Sequence, residues 1–176
     1  MSIRAASLFA LALTISPLVA VAGEGHHAAA PASAGFDRFK ELAGEWVAAS
    51  DKTGHAPGHM RAIFKVTSGG SAVAETMMPG TEHEMLNVIH PDGDGIVLTH
   101  YCAIGNQPEM KASDKIDGKD FAFKFVRCGN MKSANEMHMH SVTYTFVDKD
   151  TLRTKWTNYD NGKPAGDMVF EMKRKK

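Results

Sequence analysis

From Gly44 to the end of the chain, apolar and polar residues alternate with a period near two in ten successive segments, each bounded by Gly, Asp, Asn or Pro. A pattern that changes face at every residue suits an extended strand and cannot line one stripe of a helix, so it predicts an all-β domain. The predicted strands are Gly44 to Ser50, His59 to Thr67, Ser71 to Met78, His83 to His90, Gly95 to Cys102, Pro108 to Asp117, Asp120 to Cys128, Glu136 to Val147, Thr151 to Tyr159 and Ala165 to Lys173. Alternate connections hold residues that tolerate positive φ or bond their own backbone: Ser68-Gly69-Gly70, Pro91 to Asp94, Asp117-Gly118-Lys119 and Asp148-Lys149-Asp150. The others, Asp51 to Gly58, Pro79 to Glu82, Ala103 to Gln107, Gly129 to Asn135 and Asp160 to Pro164, are looser. Tight turns at one end and loops at the other describe an antiparallel up-and-down meander. Closing ten strands into a barrel removes the exposed edges and leaves room inside.

Ahead of the strands, Phe36, Phe39 and Leu42 stand at helical spacing and Gly44 ends the run, which predicts one short N-terminal helix. Residues 1–22 join Arg4 to the apolar run Ala5 to Val19 and the small residues Ala20-Val21-Ala22, the pattern of a secretory signal peptide cut before Gly23. That run is short for a membrane span, and no later segment is long and apolar enough, so a periplasmic or secreted protein without stable membrane insertion is expected. Residues 23–35, with His26-His27, read as a flexible linker, and 36–176 as one barrel domain long enough for a single core. Basic and acidic residues number 20 each, which leaves no electrostatic footprint for nucleic acid. The two cysteines, Cys102 and Cys128, are expected to pair as a disulfide in an oxidising compartment.

Side-chain directions follow from strict alternation with the apolar face inside. Phe121, Phe123 and Phe125 then point inward and carry Arg127 with them, while Val142, Tyr144 and Phe146 bring Glu136, His138 and His140 to the inner rim. His100 also points in, Met110, Ala112 and Ile116 bring Asp114, and Leu152 and Trp156 bring Asn158. His55, His59 and His83 fall at the same loop-rich rim, with His59 on an outward face. The candidate ligand-binding set is therefore Asp114, Phe123, Phe125, Arg127, Tyr144, Trp156 and Asn158. Arg127 would pair with Asp114 or Glu136 inside, or receive an anionic group of a ligand. The candidate metal set is His100, His138 and His140, two of them on one strand face at a spacing of roughly 6–7 Å, with Glu136 as a further ligand. Met137 and Met139 alternate away from that pair and read as packing.

Leu42-Ala43-Gly44-Glu45-Trp46 resembles the Gly-x-Trp opening of the lipocalin-like, or calycin, superfamily, in which the Trp plugs one barrel end and packs on a basic residue; Lys173 and Arg174 are the candidates for that residue. Over the whole chain, including Thr99-His100-Tyr101-Cys102 and Gly105-Asn106-Gln107-Pro108, the sequence is similar to secreted bacterial lipocalin-like domains of unknown function. That likeness implies the barrel and brings no activity. Nitrobindin barrels, also ten-stranded, hold haem through a histidine near the C-terminus, whereas no histidine follows His140 here.

No serine nucleophile elbow, phosphate-binding glycine loop or His-Glu-x-x-His motif is present. The expected function is binding of a small, partly apolar molecule at the barrel mouth. The alternative is a protein that binds a transition metal or haem through rim histidines, with an enzymatic role left open.

Overall fold

A computed structural model describes residues 33–51, 58–115 and 118–176. Its ten strands are β1 (Gly44–Asp51), β2 (Arg61–Thr67), β3 (Ala72–Met77), β4 (Met85–Asp92), β5 (Gly95–Tyr101), β6 (Gln107–Ser113), β7 (Asp120–Gly129), β8 (His138–Asp148), β9 (Thr151–Asp160) and β10 (Lys163–Arg174). Each pairs antiparallel with the next, and β1 closes on β10, so the sheet is a barrel in up-and-down order as the alternation predicts. The predicted signal peptide, most of the predicted linker, His55 and Ile116 lie outside the described residues.

The connection between β9 and β10 differs from the sequence expectation. Asn161 and Gly162, at φ 51° and 73°, form a two-residue turn rather than a loose loop. Asn-Gly favours this hairpin because both positions need positive φ, which matches the twist of the flanking strands.

One helix, α1 (Ala34–Lys40), fills the tight-turn end. Ser33 caps it by accepting the amide of Phe36 at 3.0 Å. Asp114, at the end of β6, accepts from Ser33 Oγ at 2.5 Å and from the Gly35 amide at 3.0 Å. A Cβ on Gly35 would stand 2.5 Å from Asp114 Oδ1 and 2.9 Å from Phe121, so only glycine lets the helix start approach the wall this closely. Asp114 thus anchors the plug instead of facing a ligand. Replacing Asp114 with alanine is expected to cost about 1–2 kcal/mol of stability in urea unfolding, through two lost hydrogen bonds at a helix cap. A loss below about 0.3 kcal/mol would show that the cap is not held there.

The plug inserts Phe36 and Phe39, both fully buried. Phe39 meets Phe121, Phe123, Tyr144 and Phe146 edge to face. Beside it, Trp46 on β1 donates Nε1–H to the Leu42 carbonyl at 2.8 Å, and the Arg174 guanidinium lies 4.4 Å from the Trp46 ring. Arg174 also donates to the Ala43 and Glu41 carbonyls, both at 2.8 Å, so it closes the chain ends over the plug. Of the two basic candidates, Arg174 is the partner of the Trp. Phe123, predicted to meet ligand, is part of this aromatic floor.

Candidate functional site

The loop-rich end keeps a cavity of about 160 Å³. Its deep wall is Met60, Met77, His100 and Trp156, all buried. Met78, Met85, Met139, Met168 and Phe170 continue it outward to the exposed His59. Strand alternation and the loop residues next to it bring six of the chain's 11 methionines to one space. The walls are almost wholly apolar, so each buried polar atom behind them needs an accounted partner.

Below the cavity lies a hydrogen-bonded chain that joins β8 to β3, β4 and β5. Tyr144 Oη donates to Glu75 Oε2 at 2.5 Å, and Asn87 Nδ2 donates to the same oxygen at 2.7 Å. Asn87 Oδ1 accepts from His100 Nδ1 at 2.7 Å. The order fixes each role. Glu75 Oε2 accepts twice, so any proton on the carboxyl sits on Oε1 and the Asn87 amide keeps its nitrogen toward Glu75. Its oxygen therefore faces His100, Nδ1 carries the proton, and Nε2 holds a lone pair. Among the described residues that Nε2 is buried without a protein partner, and so is Nε1 of Trp156, whose ring centroid lies 5.0 Å from the His100 ring.

Burial pushes the Glu75 carboxyl up to about 7, against the lowering effect of its bonds from Tyr144 and Asn87. Burial lowers His100 to about 4, so its ring is neutral at pH 7. It raises the Tyr144 hydroxyl well above its ordinary value, with the Glu75 charge adding to the effect. Alternation alone does not single out Glu75 and Asn87, although Val73, Glu75 and Met77 alternate onto one face of β3. A carboxylate between two core residues was a readable signal.

Two bulges overturn the inward placement of the other histidines and of Arg127. In β8, Met139 pairs with Asn158 and Ser141 with Thr157, so His140 is an extra residue and alternation slips by one. Val142, Tyr144 and Phe146 do face the core as predicted. Met139 faces the cavity, and His138, which pairs with Tyr159, is buried away from it against a second cleft. In β7, Met110 pairs with Phe125 and Glu109 with Arg127, leaving Val126 unmatched. Arg127 therefore shares the outer face with Glu109, binds it through two nitrogens at 3.2 and 2.5 Å, and has a side chain 70% exposed. Arg127→Ala is expected to change stability by less than about 1 kcal/mol, as for exposed ion pairs, and to leave binding in the cavity unchanged. A lost binding isotherm would return Arg127 to the site.

His138 and His140 form a separate cleft with Phe125, Arg127, Cys128 and Tyr159. His138 Nδ1 donates to the Glu136 carbonyl at 2.8 Å, so its Nε2 accepts from His140 Nδ1 at 3.0 Å. The His140 ring is stacked between Phe125 at 4.6 Å and Tyr159 at 3.6 Å. Burial and the neighbouring His138 lower its pKa. His100 lines the methionine cavity and these two line the second cleft, so the predicted three-histidine set does not converge. Among the described residues no group of three His, Cys, Asp or Glu side chains is placed to hold a metal ion.

Cys102 and Cys128 are free, half-buried thiols, not a disulfide. Strand β6 stands between their strands, and two strand spacings of about 4.8 Å exceed the roughly 7 Å Cα separation that a disulfide spans. Trp156 is the predicted ligand residue that does line the cavity; Tyr144 acts beneath it through Glu75. Asn158 shares Trp156's inward parity but is absent from the cavity wall. Comparison with known protein families and with curated proteins finds no match for this chain.

Proposed function

We propose that the protein is an exported binding protein of lipocalin-like type that holds a small, partly apolar molecule in the mouth of its barrel. The observation that carries this reading is the buried His100 Nε2, which has no partner among the described residues, on a ring lining a methionine-walled cavity. Leaving a buried polar atom unpaired costs roughly 1–3 kcal/mol, and a guest that pairs it recovers that cost on binding. An apolar space of about 160 Å³ matches the roughly 150 Å³ cavity that binds benzene in an engineered protein, and falls short of the roughly 300–1,000 Å³ of pockets for drug-sized ligands. Guests on the scale of one ring are indicated; a porphyrin is too large. Kinship with the calycins is supported by the Gly-x-Trp opening and the Arg174 lid on Trp46.

Isothermal titration with toluene tests the binding reading: saturable binding at one site supports it, and no heat with any one-ring compound defeats it. Export has its own check. N-terminal sequencing of the protein recovered from outside the cytoplasm is expected to begin at Gly23, and an intact Met1 would contradict the leader.

A second reading is a soft cation, since thioether and imidazole suit copper(I). Donor distances in metal sites of this kind are about 2–2.3 Å, and such a site leaves no space for a one-ring molecule. The cavity's size favours the molecular guest. Elemental analysis of the purified protein separates the two.

A further inference from the structure

We infer that the cavity selects an aromatic ring bearing one hydroxyl, a phenol, whose O–H is donated to His100 Nε2. This rests on the binding reading above and names the class of guest. Three properties of the wall lead to it.

The first is the hydrogen-bond demand. The Tyr144–Glu75–Asn87–His100 chain leaves His100 Nε2 as an acceptor, and Trp156 Nε1–H on the adjoining ring is a donor without a partner among the described residues. A hydroxyl both donates and accepts, so one group at that spot answers both nitrogens. An ether or ketone can serve only Trp156, and an N–H only His100. Burial keeps His100 neutral, so a carboxylate or phenolate would meet no positive charge there.

The second is the sulfur. Six thioethers surround one small space, and sulfur is polarizable and makes favourable contacts with aromatic rings. The Trp156 ring adds an aromatic wall. A saturated ring of the same size gains neither contact.

The third is compliance. Both nitrogens are covered from solvent, so a guest reaches them by displacing a neighbouring side chain. Methionine, unbranched with three rotatable bonds, gives way more easily than a β-branched residue.

The test is a ligand series on the full mature chain by isothermal titration: phenol, anisole, toluene, cyclohexanol and silver(I). Phenol is expected to bind at least about 10-fold more tightly than anisole, toluene or cyclohexanol, a difference of about 1.4 kcal/mol. His100→Phe should abolish the preference for phenol over toluene while toluene still binds. The ligand-side comparison on the unaltered protein stands even if that variant fails to fold. Equal affinities for phenol, anisole and toluene would overturn the hydroxyl inference and leave the binding reading intact. Equal affinities for phenol and cyclohexanol would overturn its aromatic part. Silver(I) bound one to one with no aromatic bound would overturn both and favour the soft cation.

Discussion

Phe39→Ala is expected to remove about 4 kcal/mol of stability, within the roughly 3–5 kcal/mol range for buried Phe to Ala. The side chain is wholly inaccessible and is ringed by Phe121, Phe123, Tyr144 and Phe146 at centroid distances of 5.0, 5.8, 5.4 and 5.4 Å. Truncation loses the transfer of the ring out of water and the edge-to-face contacts, and leaves a void that four large rings on rigid strands cannot close. Against a total of roughly 5–15 kcal/mol for a typical domain, that is a large share. The loss should reach the binding end as well, because Phe39 packs on the ring whose hydroxyl holds Glu75. Urea unfolding measures it. A loss under about 1 kcal/mol would mean that α1 is not seated in the barrel.

The second large effect is a pH dependence that is hidden until one of two partners is removed. Glu75 titrates at about 7 in the folded protein against an ordinary 4.5, and His100 at about 4 against 6.5. The raised Glu75 pKa gives a contribution that is full below 4.5 and is lost as pH rises to about 7. The lowered His100 pKa gives one that is full above 6.5 and is lost as pH falls to about 4. Between 4.5 and 6.5 the unfolded pair carries one proton, on histidine, and the folded pair carries one, on glutamate. Equal proton counts mean no slope, so folding moves the proton and the pair is nearly silent. Glu75→Gln exposes the histidine limb. Stability should then rise by about 3 kcal/mol between pH 4 and 6.5, taking about 1.4 kcal/mol per pK unit. Relative to the parent, the variant should gain up to that amount above pH 7 and little at pH 4.5. Tyr144 stays protonated throughout and adds no slope. Chemical denaturation across pH 4–8 reads the difference. Parallel profiles for the two proteins would show that Glu75 is not held neutral.

The barrel was legible because its signals are local: period-two alternation, turn residues and Gly44-x-Trp46 each depend on a few neighbouring residues. The site was less legible for two reasons. Alternation assumes that no strand has an extra residue, and bulges at Val126 and His140 reversed the faces of Arg127 and His138 while Phe123, Val142 and Tyr144 stayed where the pattern put them. A bulge carries little sequence signature, since the extra residue is defined by its partner strand. The methionine cavity, conversely, is made by residues from β2's approach, β3, β4, β8 and β10 that are distant in sequence. Each methionine alone reads as packing, and only closure of the barrel shows that they share a wall. His100 was the exception. Its inward direction could be read from β5, and its lone pair could not, because that depends on Asn87 and Glu75 across two other strands.

Nitrogen-15 NMR of the histidine side chains reads which ring nitrogen of His100 carries the proton and whether the other is free to accept. At pH 7 His100 is expected to be protonated on Nδ1 alone, with Nε2 showing the resonance of a free lone pair that shifts when phenol is added. A proton on Nε2, or an Nε2 resonance unmoved by phenol that binds, would contradict it.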